Sequence, residues 1–167
     1  MRNRIAFNLI AGVALWFALI GVASAAESVP FKGVVTGEAV STPATPPLVW
    51  VNFSGSGNAS HLGEFTATAS YFLNPSIFPT QLTVTAGVFT FTAANGDEIH
   101  GIFGGQGQFT ADPNIITLEA SATITGGTGR FAGATGGFHS FSVVDLLASR
   151  IQTVFDGIIS TPGANKK

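Results

Sequence analysis

The 167-residue chain contains no cysteine, and only 10% of its residues are charged. The absence of cysteine excludes disulfides, zinc-thiolate sites and a thiol nucleophile. The formal net charge of -2 provides no basic surface for a nucleic-acid backbone, so we expect no nucleic-acid partner. The length fits one domain, whose stability must come from a packed apolar core.

The N-terminus predicts a secretory signal peptide over residues 1–25. Two arginines within residues 1–4 precede an uncharged, apolar run over 5–22, and the small residues Ala23, Ser24 and Ala25 follow. A retained membrane anchor is the alternative, because an apolar run of about 18 residues can span a bilayer. The small residues favour cleavage, which predicts a periplasmic or extracellular protein with no stable membrane span afterwards. Residues 26–161 would form the domain, and 162–167 a flexible tail.

Alternating apolar and polar residues predict an all-β domain. The clearest strands are Glu64–Phe72, Gly87–Ala93 and Ile116–Ile124, where Phe, Ala and Ile share one face and Thr and Ser the other. Weaker alternating runs near 30–40, 48–57, 98–109, 137–144 and 150–160 bring the number of strands to eight. The dipeptide Asn95-Gly96 predicts a two-residue type I′ hairpin turn.

Eight short antiparallel strands can form a closed barrel or a two-sheet sandwich. Several glycines lie inside the predicted strands, where they permit the sharp bends that closure requires. They favour an eight-stranded antiparallel barrel. These glycines are Gly33, Gly37, Gly101, Gly104, Gly105, Gly107 and Gly157.

The segment Ile124–Gly137, ITGGTGRFAGATGG, contains a formal match to the dinucleotide fingerprint G-x-G-x-x-G/A. That chemistry requires a helix after the glycines, and Gly133, Gly136 and Gly137 interrupt any helix here. We therefore expect no nucleotide and no other cofactor.

The same segment resembles the glycine-rich turn before a late barrel strand in the dirigent and allene oxide cyclase-like proteins. In that resemblance Phe131 is the apolar plug, and Gly126, Gly127, Gly129 and Gly136 are bending points. The resemblance implies an eight-stranded antiparallel barrel with an apolar lumen, in a family that steers reactive small molecules largely by shape, often as dimers or trimers. Arg130, within the turn, either anchors an anionic ligand or pins neighbouring loops together.

The predicted interior carries the candidate ligand-binding residues. They are Phe65, Tyr71, Phe89, Phe91, Phe103 and Leu118, together with His61, which parity places on the face of Phe65 and Tyr71. The three histidines His61, His100 and His139 lack the local spacing of metal ligands, so we expect no metal site. No G-x-S-x-G elbow is present, and no catalytic residue is assigned.

Three functions remain open. A barrel with an open lumen would bind a small hydrophobic ligand, whereas a lumen filled by its own phenylalanines would exclude that function. An enzymatic barrel would bias cyclisation or isomerisation through a polar group such as Tyr71, His61 or Glu64. A structural envelope or matrix protein would instead use its Thr- and Ser-rich exterior for association, which includes formation of a homo-oligomer.

Overall fold

The computed structural model describes residues 27–77 and 81–160, which form eight β-strands and one short 3₁₀ turn. The strands are β1 (Ser28–Pro43), β2 (Val49–Ala59), β3 (Gly63–Ile77), β4 (Gln81–Ala93), β5 (Glu98–Phe109), β6 (Ile115–Gly127), β7 (Thr135–Asp145) and β8 (Arg150–Ser160). The predicted signal peptide and C-terminal tail lie outside the described residues. Within 27–77 and 81–160, no helix has the length and apolar character needed to cross a membrane.

The strands form one closed barrel in sequence order. Every strand pairs antiparallel with its neighbours in the chain, and β8 returns to pair with β1 from Ser28 opposite Ser160 to Glu38 opposite Arg150. Closure removes the exposed edges that an open sheet would leave. The predicted all-β class and eight-stranded antiparallel barrel are confirmed, and the sandwich alternative is excluded.

The alternation seen in the sequence separates the interior from the surface. Along β3, Phe65, Ala67 and Tyr71 are buried, while Thr66 and Thr68 between them are exposed. Successive side chains of a strand point to opposite faces, so the apolar set of each strand faces the barrel axis. Burial of these side chains stabilises the fold, because it removes apolar surface from water. The chain has no cysteine, so no disulfide adds to this stability.

Glycines and phenylalanines face each other across neighbouring strands. Six such pairs occur, namely Phe155 with Gly33, Phe31 with Gly157, Phe65 with Gly57, Phe103 with Gly87, Phe89 with Gly101 and Phe138 with Gly157. A Cβ atom on Gly33 would lie 2.5 Å from Phe155 Cζ, and one on Gly101 would lie 2.7 Å from Phe89 Cε1. At Gly33, Gly57, Gly87 and Gly101 the opposite ring therefore occupies space that a side chain on the glycine would need.

Strand β4 carries a β-bulge in the middle of the barrel wall. Ala86 and Gly87 together oppose the single residue Tyr71 of β3, and on the other side Thr85 and Ala86 oppose Gly104 of β5. Ala86 has a φ of 51°, in the left-handed region that non-glycine residues rarely adopt. A bulge increases the local bend and twist of a strand, here beside Tyr71.

The predicted β4–β5 hairpin is present, but its turn differs from the predicted type. Gly96 N–H donates to the Ala93 carbonyl, and Ala93 N–H donates to the Asp97 carbonyl, each at 2.9 Å. Only Gly96 of the turn has a positive φ, of 86°, whereas a type I′ turn would require one at Asn95 as well. The connection is a three-residue loop with Gly96 in the left-handed position, and the Asn95 side chain donates to the Asp97 carboxylate at 2.8 Å.

Candidate functional site

A central cavity lies within the barrel, midway between its ends. Its volume is about 90 Å³, and all eight strands contribute to its wall. The wall is mainly aromatic and aliphatic, with Phe53, Phe89, Phe91, Phe103, Phe138 and Phe155 as its phenylalanines and Tyr71, Ser140, Ser142 and Thr153 among its polar residues. None of the described residues in this wall carries a charged side chain. The space therefore suits an uncharged, largely apolar occupant.

The polar groups of the wall differ in how they are satisfied. The hydroxyls of Ser142 and Thr153 bind each other at 2.8 Å, and Ser140 Oγ lies 3.5 Å from the Ala120 carbonyl. The Tyr71 phenol has no hydrogen-bond partner within the described part of the chain, although Tyr71 is only 6% exposed. Tyr71 is thus the buried polar group of this wall that is left for an external partner.

Burial also sets the ionisation of Tyr71. Desolvation raises the pKa of the Tyr71 phenol from its usual value of 10.0 to about 12, because the charged phenolate is disfavoured away from water. At neutral pH Tyr71 is therefore a hydrogen-bond donor and not a base. Tyr71, the only ionisable group among the described wall residues, consequently offers no general base for proton transfer.

The raised pKa predicts a loss of stability in alkaline solution. The unfolded chain loses the Tyr71 proton near pH 10, whereas the folded chain holds it to about pH 12. The free energy of unfolding should therefore be constant below about pH 10 with respect to this group. It should then fall with a slope of up to about 1.4 kcal/mol per pH unit, until the phenol ionises in the folded state.

Urea unfolding between pH 8 and pH 12 measures this dependence, and Tyr71→Phe is the control because it keeps the ring but cannot ionise. Above about pH 10, the free energy of unfolding should fall less steeply with pH in Tyr71→Phe than in the wild type, because the variant lacks the contribution of this one phenol. Since Tyr71 is the single tyrosine of the chain, its ionisation can be followed directly by near-ultraviolet absorbance. A phenol that titrates near pH 10 in the folded protein would contradict the burial argument.

The interior residues expected from the sequence fall into two groups. Tyr71, Phe89, Phe91, Phe103 and Leu118 all line the central cavity. Phe65 is buried but lies outside the cavity wall, at the end of the barrel where β3 begins, and its ring packs 4.7 Å from that of Phe91. Strand parity predicted the correct face for all six residues, but it carries no information on depth along the barrel axis.

His61 lies outside the interior, which corrects its expected position in the lumen. It sits exposed in the turn between β2 and β3 with a φ of 62°. The alternation of β3 begins only at Gly63, so extending its parity back to His61 crossed a turn. Glu64 is also exposed, on the outer face of β3. Of the three polar groups suggested for steering a substrate, Tyr71 alone faces the cavity.

The sequence did not identify several cavity residues. Phe138, Ser140 and Ser142 of β7 face inward, while Phe141 and Val143 face the solvent. Between Ser140 and Val143 this strand therefore reverses the pattern of apolar inside and polar outside, whereas Phe138 and Val144 follow it. The cavity residues Ile151 and Phe155 of β8 were also not identified. They lie on one face of an alternating run, so strand periodicity could have predicted them.

The glycine-rich segment closes one end of the barrel. After β6 it forms a single 3₁₀ turn, Gly129–Phe131, which buries Phe131 to 2% exposure. Gly129 has a φ of 55°, and a Cβ atom there would collide with the Asp97 carboxylate. Gly126 and Gly127 end β6, and Gly127 has no room for a side chain because Phe131 packs over it.

Arg130 holds three loops together at this end. Its guanidinium donates to the Leu62 carbonyl at 3.1 Å, its Nε lies 3.6 Å from Asp97 Oδ2, and its Cζ lies 4.8 Å from the centroid of the Phe131 ring. These contacts join the β2–β3 turn, the β4–β5 hairpin and the 3₁₀ turn. Arg130 stands on the outside of the plug, away from the cavity wall.

A row of polar residues on the outer face has the residue types of a catalytic triad but not its contacts. Ser121, His139 and Asp156 are neighbours across β6, β7 and β8, and Ser121 Oγ lies 3.1 Å from His139 Nδ1. Asp156 instead forms an ion pair with Lys32 at 2.8 Å. All four side chains are exposed. Among residues 27–77 and 81–160, no group of three or more His, Asp or Glu could hold a metal ion.

The sequence matches no protein-family model and no curated protein. Solved structures do resemble the chain. The pterocarpan synthase dirigent protein GePTS1 aligns over 90% of this chain and 97% of its own, with a TM-score of 0.51 and 13% identity. The pterocarpan synthase dirigent protein PsPTS1 aligns over 81% and 96%, with a TM-score of 0.50 and 14% identity.

The chain has the dirigent fold. The glycine-rich turn and the eight antiparallel strands of the sequence had indicated this barrel, and the two solved dirigent structures match it over most of their length. At 13–14% identity the likeness concerns the fold, and the chemistry has to be argued from the side chains of this dirigent-type barrel.

Proposed function

We propose that this protein is a dirigent-like barrel that holds a compact, mainly apolar small molecule in its central cavity. The observation that carries the proposal is the uncharged, mainly aromatic wall around a space of about 90 Å³ that the protein's own side chains leave unfilled. Apolar surface removed from water on both partners would supply the binding energy. Export of the barrel is part of the proposal and rests on residues 1–25.

The volume of the cavity restricts the ligand. A cavity of about 90 Å³ exceeds the space of one water but is smaller than the roughly 150 Å³ that accommodates benzene in a protein core. It is also far below the roughly 300 Å³ of an ordinary small-molecule pocket. The phenylalanines thus fill most of the lumen. A ligand larger than a small ring would require aromatic side chains such as the half-buried Phe103 to move.

The wall supports binding better than acid–base catalysis. Its described residues include no carboxylate, imidazole or amine, and the Tyr71 phenol stays protonated at neutral pH. The catalytic activity named for the two pterocarpan synthase dirigent proteins is therefore not carried over to this chain. A steering role, in which the cavity shape limits how a reactive molecule closes, needs no such group and is compatible with the proposed binding.

A small hydrocarbon tests the proposal directly. With methylenecyclobutane as the ligand, ¹³C-methyl NMR should show shifts concentrated on the cavity methyls of Val35, Val84, Leu118 and Ile151. Ala120→Val narrows the cavity and should abolish these shifts. Ser121→Val, the next residue and outward-facing, should leave them unchanged. Shifts that persist in Ala120→Val, or that occur only on surface methyls, would contradict binding in the lumen.

Self-association is the second candidate function, and the outer face of β1, β7 and β8 favours it. Val34, Val154 and Phe141 lie directly opposite one another across these strands and are 39%, 51% and 42% exposed. The flanking Lys32–Asp156 pair balances its own charge, so a second copy of this chain could pack here without net like-charge repulsion.

Sedimentation velocity at increasing concentration tests the association. Wild-type protein should form a defined oligomer, which Val154→Ser weakens. The outward Thr123→Ser, on β6 and away from this row, is the control. A strict monomer at high concentration would remove this function.

A further inference from the structure

We propose that Tyr71 anchors the ligand, and that the ligand is a neutral, compact molecule carrying one hydrogen-bond acceptor such as a ketone or ether oxygen. This inference rests on the proposed binding in the central cavity and specifies the chemical class that the cavity prefers. It makes Tyr71 the specificity-determining residue of the site.

The phenolic oxygen of Tyr71 is unpaired among the described residues and is not fully enclosed. Among the described residues, Asn74 Oδ1 is the sole fully buried side-chain oxygen or nitrogen without a partner. The Tyr71 oxygen also lacks a partner there, so it must retain accessible surface, although the residue as a whole is 94% removed from solvent. Because Tyr71 is one of the cavity-lining residues, we infer that this surface faces the cavity.

The position of Tyr71 is fixed by its surroundings. Its ring packs edge-on against Phe103 with a centroid distance of 5.6 Å, and the β4 bulge at Ala86 and Gly87 lies directly opposite. Gly87 leaves the space that the Phe103 ring occupies. A bulge of this kind commonly re-aims a side chain beside a functional site. The phenol is thus held in place before any ligand binds, which lowers the entropy cost of binding.

The other wall groups determine what the ligand can carry. A buried donor without an acceptor costs free energy, so an acceptor on the ligand gains the bond that Tyr71 lacks. The Ser142 and Thr153 hydroxyls already bind each other, so they compete only weakly with Tyr71 for the acceptor on the ligand. A carboxylate would be buried without any cation in the wall, and such burial is strongly unfavourable. Neutral acceptors are therefore preferred over both hydrocarbons and anions.

Three probes of nearly equal shape separate these classes. Cyclobutanone carries an acceptor, methylenecyclobutane lacks it, and cyclobutanecarboxylate is anionic. Titration of the wild-type protein, followed by ¹³C-methyl NMR of Leu118 and Val84, should give a dissociation constant for cyclobutanone roughly three- to tenfold lower than for methylenecyclobutane. The carboxylate should not bind. Cyclobutanone should also shift the near-ultraviolet absorption of Tyr71, the single tyrosine.

Tyr71→Phe should abolish the preference for the ketone and leave the affinity for methylenecyclobutane nearly unchanged. The control Ser121→Val removes an outward-facing hydroxyl of β6, away from the cavity wall, and should keep the preference. Equal affinity for ketone and hydrocarbon in the wild type, or an unchanged preference in Tyr71→Phe, would overturn this inference while leaving the proposed binding intact. If neither neutral probe moves the cavity methyls, the proposed binding itself fails.

Discussion

Replacement of Phe138 by alanine is expected to lower the free energy of unfolding by about 3–5 kcal/mol. Phe138 is 7% exposed and stands at the centre of the aromatic core. Its ring centroid lies within 4.9–6.1 Å of four others, those of Phe31, Phe89, Phe91 and Phe155. The substitution removes these contacts together, and neighbouring rings held by closed strands can refill the space only in part.

Phe141→Ala is the matched control, since it changes the same residue type three positions along β7. Phe141 faces the solvent at 42% exposure, so its loss should cost less than about 1 kcal/mol. Urea unfolding of both variants gives the comparison. Equal losses would contradict the assignment of Phe138 to the interior and Phe141 to the surface.

Phe138→Ala also bears on the cavity, because Phe138 forms part of its wall. Removing the ring should enlarge the cavity beyond about 90 Å³ and towards a size that accepts benzene. Benzene should therefore raise the melting temperature of Phe138→Ala by more than that of the wild type. Ligand bound only to the folded state stabilises it by mass action.

The fold could be predicted because most strands follow one simple rule. In β3, β4 and β6, Phe, Ala and Ile alternate with Thr and Ser, and one buried face enforces that period. Strand β7 breaks the rule, since Phe141 and Val143 point outward and Ser142 points inward. Ser142 is tolerated because Thr153 on β8 satisfies its hydroxyl, a partner that only the β7–β8 register reveals.

The sequence could predict which residues face the barrel interior, but not how far along the barrel axis each of them lies. Parity along β3 places Phe65 and Tyr71 on one side, yet Phe65 packs at the end of the barrel and Tyr71 lines the cavity. Depth depends on the stagger between strands, which residue alternation does not encode. The Tyr71 phenol is unpaired because the described residues around it offer it no hydrogen-bond partner. These residues lie on other strands, so the sequence of β3 alone cannot show this.

Gly101→Ala is expected to destabilise the barrel by about 3 kcal/mol or more, the upper range for adding one methyl group to a packed interior. Gly101 lies on β5 opposite Phe89, and the new Cβ would come within 2.7 Å of the Phe89 ring. It would also collide with the carbonyl oxygen of Thr123 on β6. The ring could turn away at some cost, but the carbonyl belongs to the strand ladder and cannot move without breaking it.

Gly104→Ala, on the same strand but facing outward, separates this collision from the general effect of glycine in a strand. The Cβ there would have Val84 O as its nearest neighbour at 3.3 Å, so a change below about 1 kcal/mol is expected. Combining Gly101→Ala with Phe89→Leu should recover only part of the lost stability, because the Thr123 carbonyl still opposes the methyl group. Full recovery by Phe89→Leu would show that the ring alone requires glycine. No loss in Gly101→Ala would refute the opposed glycine–phenylalanine packing.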